Sequence, residues 1–223
     1  MGQVITIDGP AGAGKSTVSR RLAANLGFLY LDTGAMYRAV ALQAERMGLN
    51  VNNGERVRAM CQALELRFET VAGENRLYMG REDVSAAIRS PRMDLLSSRI
   101  SAIKEVREAM TELQRRIGEN AHGLVAEGRD MGTVVFKDAE FKFYITASQA
   151  VRAERRYKER KERGESPSRA DVEREIEQRD DQDTNRAIAP LRSAEDAIRI
   201  DSSKLTSTEV LDVVLSHIRR ERR

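Results

Sequence analysis

One stretch, G9-P-A-G-A-G-K-S-T17, constrains this chain more than any other. It matches the pattern G-x-x-x-x-G-K followed by Ser or Thr. Average residue usage produces that pattern by chance in roughly one percent of chains this long, so its surroundings decide how it is read. A short apolar run, V4-I-T-I7, and then Asp8 precede the loop, and T17-V-S-R-R-L-A-A-N-L-G27 follows it. Val18, Leu22 and Leu26 fall at helical spacing, and Gly27 supplies a helix stop. Strand, loop and helix in that order suit a loop that cradles phosphate. Gly9, Gly12 and Gly14 let the backbone curl without Cβ clashes, so that N–H groups and the helix N-terminus face an anion. Lys15 can reach terminal phosphates, and Ser16 can place its hydroxyl on a magnesium ion. Lys15 is expected to face solvent from the loop. The bland alternative is a glycine-rich turn with an exposed lysine.

The alternation continues. F28-L-Y-L31 reads as a buried strand ended by Asp32, and T33-G-A-M-Y-R-A-V-A-L-Q-A-E-R-M47 as a helix, which argues for parallel βαβ units. The rhythm then breaks at L64-E-L-R-F68, A72-G-E-N75 and R76-L-Y-M79, an antiparallel hairpin around a turn. Helical patterns return across Ser97–Glu119, and G123-L-V-A126, F141-K-F-Y-I145 and A197-I-R-I200 are strand candidates. A charged helical region from Gln149 to about Ala187 is broken at Gly164–Pro167, and Ser207–Arg220 closes the chain as an amphipathic helix. The expectation is one domain over residues 1–223 with about five core strands and two excursions, around 39–99 and 152–168.

Several classes of protein fit poorly. Lys+Arg 38 against Asp+Glu 35 leaves a net charge of only +3, and the signs alternate along most helices, unlike the one-sided basic face of a nucleic-acid binder. Aromatics are 4% with no Trp, too few for a base-stacking platform. No nucleic-acid partner is expected. Cys61 is the only cysteine, and His122 and His217 have no neighbours at ligand spacing, so neither a disulfide nor a zinc site is expected. No apolar run suggests a membrane span or a signal segment, and no exposed apolar stripe demands a dimer. These features suit a cytoplasmic monomer.

A phosphate loop of this kind serves GTPase switches, motor or helicase ATPases, and kinases of small acceptors. The guanine-reading run N-K-x-D is absent. The nearest apolar run ending in acid, L124-V-A-E127, is short for a motor. Arginines scattered at strand ends and on helices suit a site where several anionic groups converge, which puts the small-acceptor kinase ahead.

Four further stretches, D32-T-G-A-M-Y-R38, V106-R-E-A109, E127-G-R-D-M-G-T133 and R179-D-D-Q-D-T-N-R186, together with D8-G-P-A-G-A-G-K15, closely resemble the bacterial cytidylate kinases. The resemblance runs almost end to end, hairpin insertion included. Thr33 stands where serine is also common, and Glu127 where aspartate is also common. The resemblance implies a P-loop kinase fold, a parallel five-stranded sheet flanked by helices. It also implies transfer from MgATP to CMP or dCMP, as part of pyrimidine metabolism. ATP would lie on Gly9, Pro10, Ala11, Gly12, Ala13, Gly14, Lys15, Ser16 and Thr17, with Mg2+ reached by Ser16 and by Asp32 or Glu127. Arg38 and Arg129 would hold the acceptor phosphate. Thr33, Arg107, Asp130 and Arg186 would line the base, and Ser98, Arg179 and Asp183 would meet the sugar. Segment 39–99 would be the monophosphate-binding part.

Each assignment has a plainer reading. Arg38 and Arg107 could be solvated helix residues, Asp32 a helix cap, and R179-D-D-Q-D183 a salt-bridged helix end. Along V151-R-A-E-R-R-Y-K-E-R-K-E-R163, the pairs Glu154–Lys158 and Glu159–Arg163 have i,i+4 spacing, so a self-paired helix explains much of the charge. The sharper reading makes 152–168 a lid that keeps water from the γ-phosphate. Arg152, Arg155 and Arg156 match the family's lid-side arginines, with Arg152 and Arg156 joining Lys15 and Arg129 in catalysis. Arg160 and Arg163 are expected on the surface. Two alternatives stay open: the same architecture acting on another small acceptor such as UMP or shikimate, and a regulatory module that binds nucleotide without transferring phosphate.

Overall fold

The computed structural model describes residues 2–50, 53–71 and 73–221, so Ala72 of the expected hairpin turn lies outside the described residues. The chain forms two compact units. One comprises Gly2–Tyr30 with the chain from Ala121 onward; the other is Leu31–Asn120.

The first unit begins with β1 (Gln3–Asp8) and α1 (Lys15–Leu26), and β2 (Leu29–Asp32) follows at its border. The second unit holds α2 (Thr33–Arg46), α3 (Gly54–Gln62), β3 (Leu66–Val71), β4 (Glu74–Met79), β5 (Glu82–Asp83), α4 (Pro91–Ile100) and α5 (Lys104–Asn120). The chain then returns to the first unit as β6 (Gly123–Gly128), β7 (Phe141–Thr146), α6 (Gln149–Glu162), α7 (Arg169–Asn185), β8 (Ile198–Asp201) and α8 (Ser207–Glu221).

Five strands make a parallel sheet in the order β2-β6-β1-β7-β8, the architecture expected from the strand–helix alternation. Strand β6 is buried at every position, whereas β7 alternates buried with half-buried residues and β8 buries fully only Ile200. Ile5, Ile7, Val125, Phe143 and Ile145 pack with Val18 and Leu22 of α1 and with Val214 and Ile218 of α8. Register places Asp8 beside Gly128 on one side and beside Tyr144 on the other. The loops after β1 and β6 therefore leave from the same carboxyl edge, where ligands of open α/β sheets collect.

In the second unit β3 and β4 form the expected hairpin, with Leu66 opposite Met79 and Val71 opposite Glu74. A two-residue third strand, β5, extends it antiparallel. The helical stretch expected over Ser97–Glu119 is two helices, because the chain turns at Ser101–Ile103 between α4 and α5. Helix α4 starts on Ser90, whose hydroxyl accepts from Met93 N at 3.2 Å, with proline as its first residue.

Candidate active site

The glycine loop lies between the buried end of β1 and the first turn of α1. Gly9, Gly12 and Gly14 all have positive φ (146°, 75° and 87°), where a side chain would strain the backbone. Gly9 is further constrained by its neighbour, since a Cβ there would lie 1.9 Å from Ile145 O of β7. Helix α1 has no side-chain cap, so its first N–H groups are left to an anion.

Lys15 does not face solvent. It is 6% exposed and folds back so that Nζ donates to Pro10 O at 2.8 Å. The reason is position: Lys15 opens α1 and its stem packs inside the loop that the glycines wrap around it. Burial, with Arg129 nearby, lowers its pKa to about 7 against the pull of Glu127. Ser16 Oγ donates to Glu127 Oε1 at 2.6 Å, and Tyr30 OH donates to Glu127 Oε2 at 2.9 Å. With its proton drawn toward Glu127, the Ser16 oxygen keeps lone pairs for a hard cation, which fits a magnesium ligand with Glu127 behind it.

Asp8, not assigned a role from the sequence, joins this loop to the segment after β6. Its carboxylate accepts from Met131 N at 2.9 Å and from Gly132 N at 2.8 Å. Those residues belong to a single π-helical turn, Met131–Val135, in which Val135 N reaches back to Asp130 O at 3.2 Å. The wide turn carries Arg129 and Asp130 on its N-terminal flank. Burial pushes the Asp8 carboxyl up to about 6, although both backbone donors oppose the shift. Between its ordinary 3.8 and about 6, the native chain holds a proton that the unfolded chain has released. Asp8's contribution to stability is therefore complete below the lower value and falls as pH rises toward the higher. Comparing urea unfolding of wild type and Asp8→Asn, wild type should lose about 2–3 kcal/mol relative to the variant between pH 4 and pH 7. A difference that is the same at both pH values would count against this.

Beyond the π turn the first unit contains a run of alternating charges. Arg129 Nε donates to Asp183 Oδ2 at 2.7 Å, Arg186 Nη1 lies 3.9 Å from Asp183 Oδ1, and Arg186 Nη2 lies 3.5 Å from Asp130 Oδ1. Asp130 and Asp183 are buried, at 2% and 5% exposure. Burial alone would raise the Asp183 carboxyl, but the Arg129 and Arg179 guanidiniums outweigh it and hold it below the usual carboxylate range. Arg186 Nε donates to Ala189 O at 2.6 Å, and Ala189, with φ 50°, is the one non-glycine at positive φ among the described residues. Strain of that kind persists where the surroundings enforce it. The R179–R186 stretch is thus the ion-paired C-terminal end of α7, as a salt-bridged helix end would be.

The second unit brings together the remaining assigned residues. Asp32 caps α2, accepting from Ala35 N at 2.8 Å, and lies 3.6 Å from Arg38, which is 3.7 Å from Asp94. The Nε of Arg38 is buried and makes no hydrogen bond among the described residues. Thr33, Ser98 and Arg107 are buried as well. Arg107, read from the sequence as open to solvation, is 3% exposed; it donates to Ser101 O at 3.1 Å and lies over the Tyr37 ring at 5.4 Å.

Helix α6 shows the self-pairing expected along it. Glu154–Lys158 and Glu159–Arg163 pair along the helix, and Arg156 pairs with Glu159. Arg160 is not a surface residue: its side chain is 12% exposed, because it bonds Glu165 at 2.6 Å and Glu175 of α7 at 3.0 Å across the turn at Gly164. Arg152 is buried and ion-paired with Asp180, and Arg155 bonds Ser202. Among the described residues no helix is long and apolar enough to cross a membrane.

A glycine loop on the carboxyl edge of a parallel sheet, a lysine enclosed by it and a serine backed by a buried carboxylate define a P-loop protein. The fold is shared with an uncharacterized protein from Eubacterium ventriosum, at a TM-score of 0.54 and 11% identity over 97% of this chain and 98% of that one. In sequence, the cytidylate kinase family matches residues 5–220. Relatives include cytidylate kinases of Citrifermentans bemidjiense, 45% identical over 98% of this chain and 93% of that protein, and of Syntrophotalea carbinolica, 48% identical over 95% and 90%. The chain belongs to the cytidylate kinase family, as its motifs implied.

Proposed function

We propose that this protein transfers the γ-phosphoryl group of MgATP to CMP or dCMP, giving CDP or dCDP, as a cytoplasmic monomer of pyrimidine metabolism. Asp130 carries the reading. It is a buried carboxylate next in sequence to Arg129, so a group that accepts from an amino-bearing base adjoins one that grips phosphate. Arg38 and Arg129 take the acceptor phosphate as guanidinium forks, and the buried unbonded Nε of Arg38 supports this use. Thr33, Arg107, Asp130 and Arg186 line the base; Ser98, Arg179 and Asp183 meet the sugar. Residues 39–99 form the monophosphate-binding part and 152–168 the lid, with Arg152 and Arg156 on its donor side.

The donor chain lies on the N–H groups of residues 9–17, with Lys15 on its terminal phosphates. Ser16, with Glu127 behind it, would hold magnesium, which would supply neutralising charge to the donor phosphates. The acceptor phosphate is already ionised near neutral pH, so no general base is required. The residues align acceptor oxygen and γ-phosphorus and stabilise charge as it moves to the leaving oxygen. An ADP-release assay over a panel of nucleoside monophosphates and shikimate tests the reading. CMP and dCMP should drive release and the others should not. Tight ATP binding with no acceptor-dependent release would instead mark a regulatory module.

A further inference from the structure

The glycine loop is held from behind by two side chains outside it. Ala11 O accepts from Arg152 Nη1 at 3.1 Å, and Ala13 O accepts from Ser202 Oγ at 3.1 Å. Each donor is fixed in turn. Arg152 bonds both carboxylate oxygens of Asp180, at 3.0 and 2.6 Å, and Ala147 O at 3.0 Å. Ser202 is 2% exposed and receives Arg155 on its hydroxyl at 3.0 Å and on its carbonyl at 2.7 Å. A carbonyl cannot donate, so the Ser202 proton goes to Ala13 and its lone pair to Arg155. The direction of every bond in this relay is determined.

A trans peptide is planar, with its C=O and the following N–H opposed. Fixing Ala11 O on Arg152 therefore aims the Gly12 N–H away from Arg152. Fixing Ala13 O on Ser202 aims the Gly14 N–H away from Ser202. Both glycines are left-handed, at φ 75° and 87°, which makes neighbouring N–H groups converge into an anion-binding nest. Helix α6 presses on the loop closely, since a Cβ at Gly12 would lie 3.0 Å from both Arg152 Cβ and Arg152 O.

The geometry points to an outer clasp: Asp180 through Arg152, and Arg155 through Ser202, are positioning residues that aim two N–H groups of the donor loop before any phosphate arrives. Asp180 and Ser202 act without touching the nucleotide. Preset dipoles need no reorganisation on binding, so the clasp serves donor phosphate and not the acceptor. The inference rests on the loop being the ATP site.

Ser202→Ala and Asp180→Asn test it, with inorganic tripolyphosphate as a donor-site probe that has no base or sugar. Each substitution should raise KM for ATP about tenfold and weaken tripolyphosphate competition in parallel, while KM for CMP stays within about twofold. Ser202→Thr, which keeps the hydroxyl, should restore both donor-side values. Unchanged ATP and tripolyphosphate affinities would overturn the clasp. So would a loss confined to ATP, which would put Ser202 on the nucleoside, or equal losses for ATP and CMP with a lowered Tm. Wild-type protein that bound neither ATP nor tripolyphosphate would overturn the ATP-site reading, and the clasp with it.

Discussion

Lys15→Ala is expected to lower kcat on the order of a thousandfold or more while the chain stays folded. The lysine is enclosed by the glycine loop and bonded to Pro10 O, and burial already disfavours its charge. Removing it takes away a costly buried cation, so Tm should shift by only a few degrees. The loss falls on turnover because the charge is needed most where negative charge gathers on the transferred group and the leaving oxygen. ATP binding should weaken much less, since backbone N–H groups share the phosphate contact. Single-turnover kinetics with saturating ATP separates the two effects. A variant that retains a tenth of wild-type turnover would remove Lys15 from the chemistry.

The second large effect concerns the base. Cytosine offers an amino donor at N4 and an acceptor at N3, whereas uracil offers a carbonyl and an N–H at those places. On the proposed assignment Asp130 would accept from the amino group and Arg107 would donate to the acceptor side, so uracil would mismatch both. Sites built on buried hydrogen bonds reject such an analogue by roughly ten-thousand-fold, and a CMP over UMP preference of that order is expected. Asp130 is 2% exposed and 3.5 Å from Arg186, so Asp130→Asn also leaves that guanidinium less well paired. Both activities should fall, but the CMP to UMP ratio of kcat/KM should shrink, because the amide can donate to O4 of uracil. Equal losses for both substrates would assign Asp130 to the fold or to the phosphate.

Much of this was legible in the chain because it is written locally. The loop between β1 and α1 announces itself by glycine spacing and a helix stop, strand β6 by a short apolar run, and β7 and β8 by apolar residues at alternate positions. What escaped depends on tertiary neighbours. The π turn at Met131–Val135 leaves no periodic trace, and its support, Asp8, is 123 positions from Met131 in sequence. Asp180 and Ser202 look like ordinary surface polar residues until Arg152, Arg155 and the loop carbonyls are placed beside them. Arg160 was misread for the same reason: its partners Glu165 and Glu175 lie beyond the break at Gly164. Helix α3 and strand β5 are short, and the former begins with glycine, a poor helix former.

The enclosed lysine has one more consequence. With a pKa of about 7, a sizeable share of Lys15 is neutral in the free protein near pH 7. On the proposed role of Lys15, the negative field of a triphosphate would favour its charged form, so nucleotide binding would draw a fraction of a hydrogen ion from solvent. When the products leave, that ion is handed back. A catalytic cycle on that site would take up and return the proton without consuming it, and affinity for the donor is expected to slacken as the medium turns alkaline.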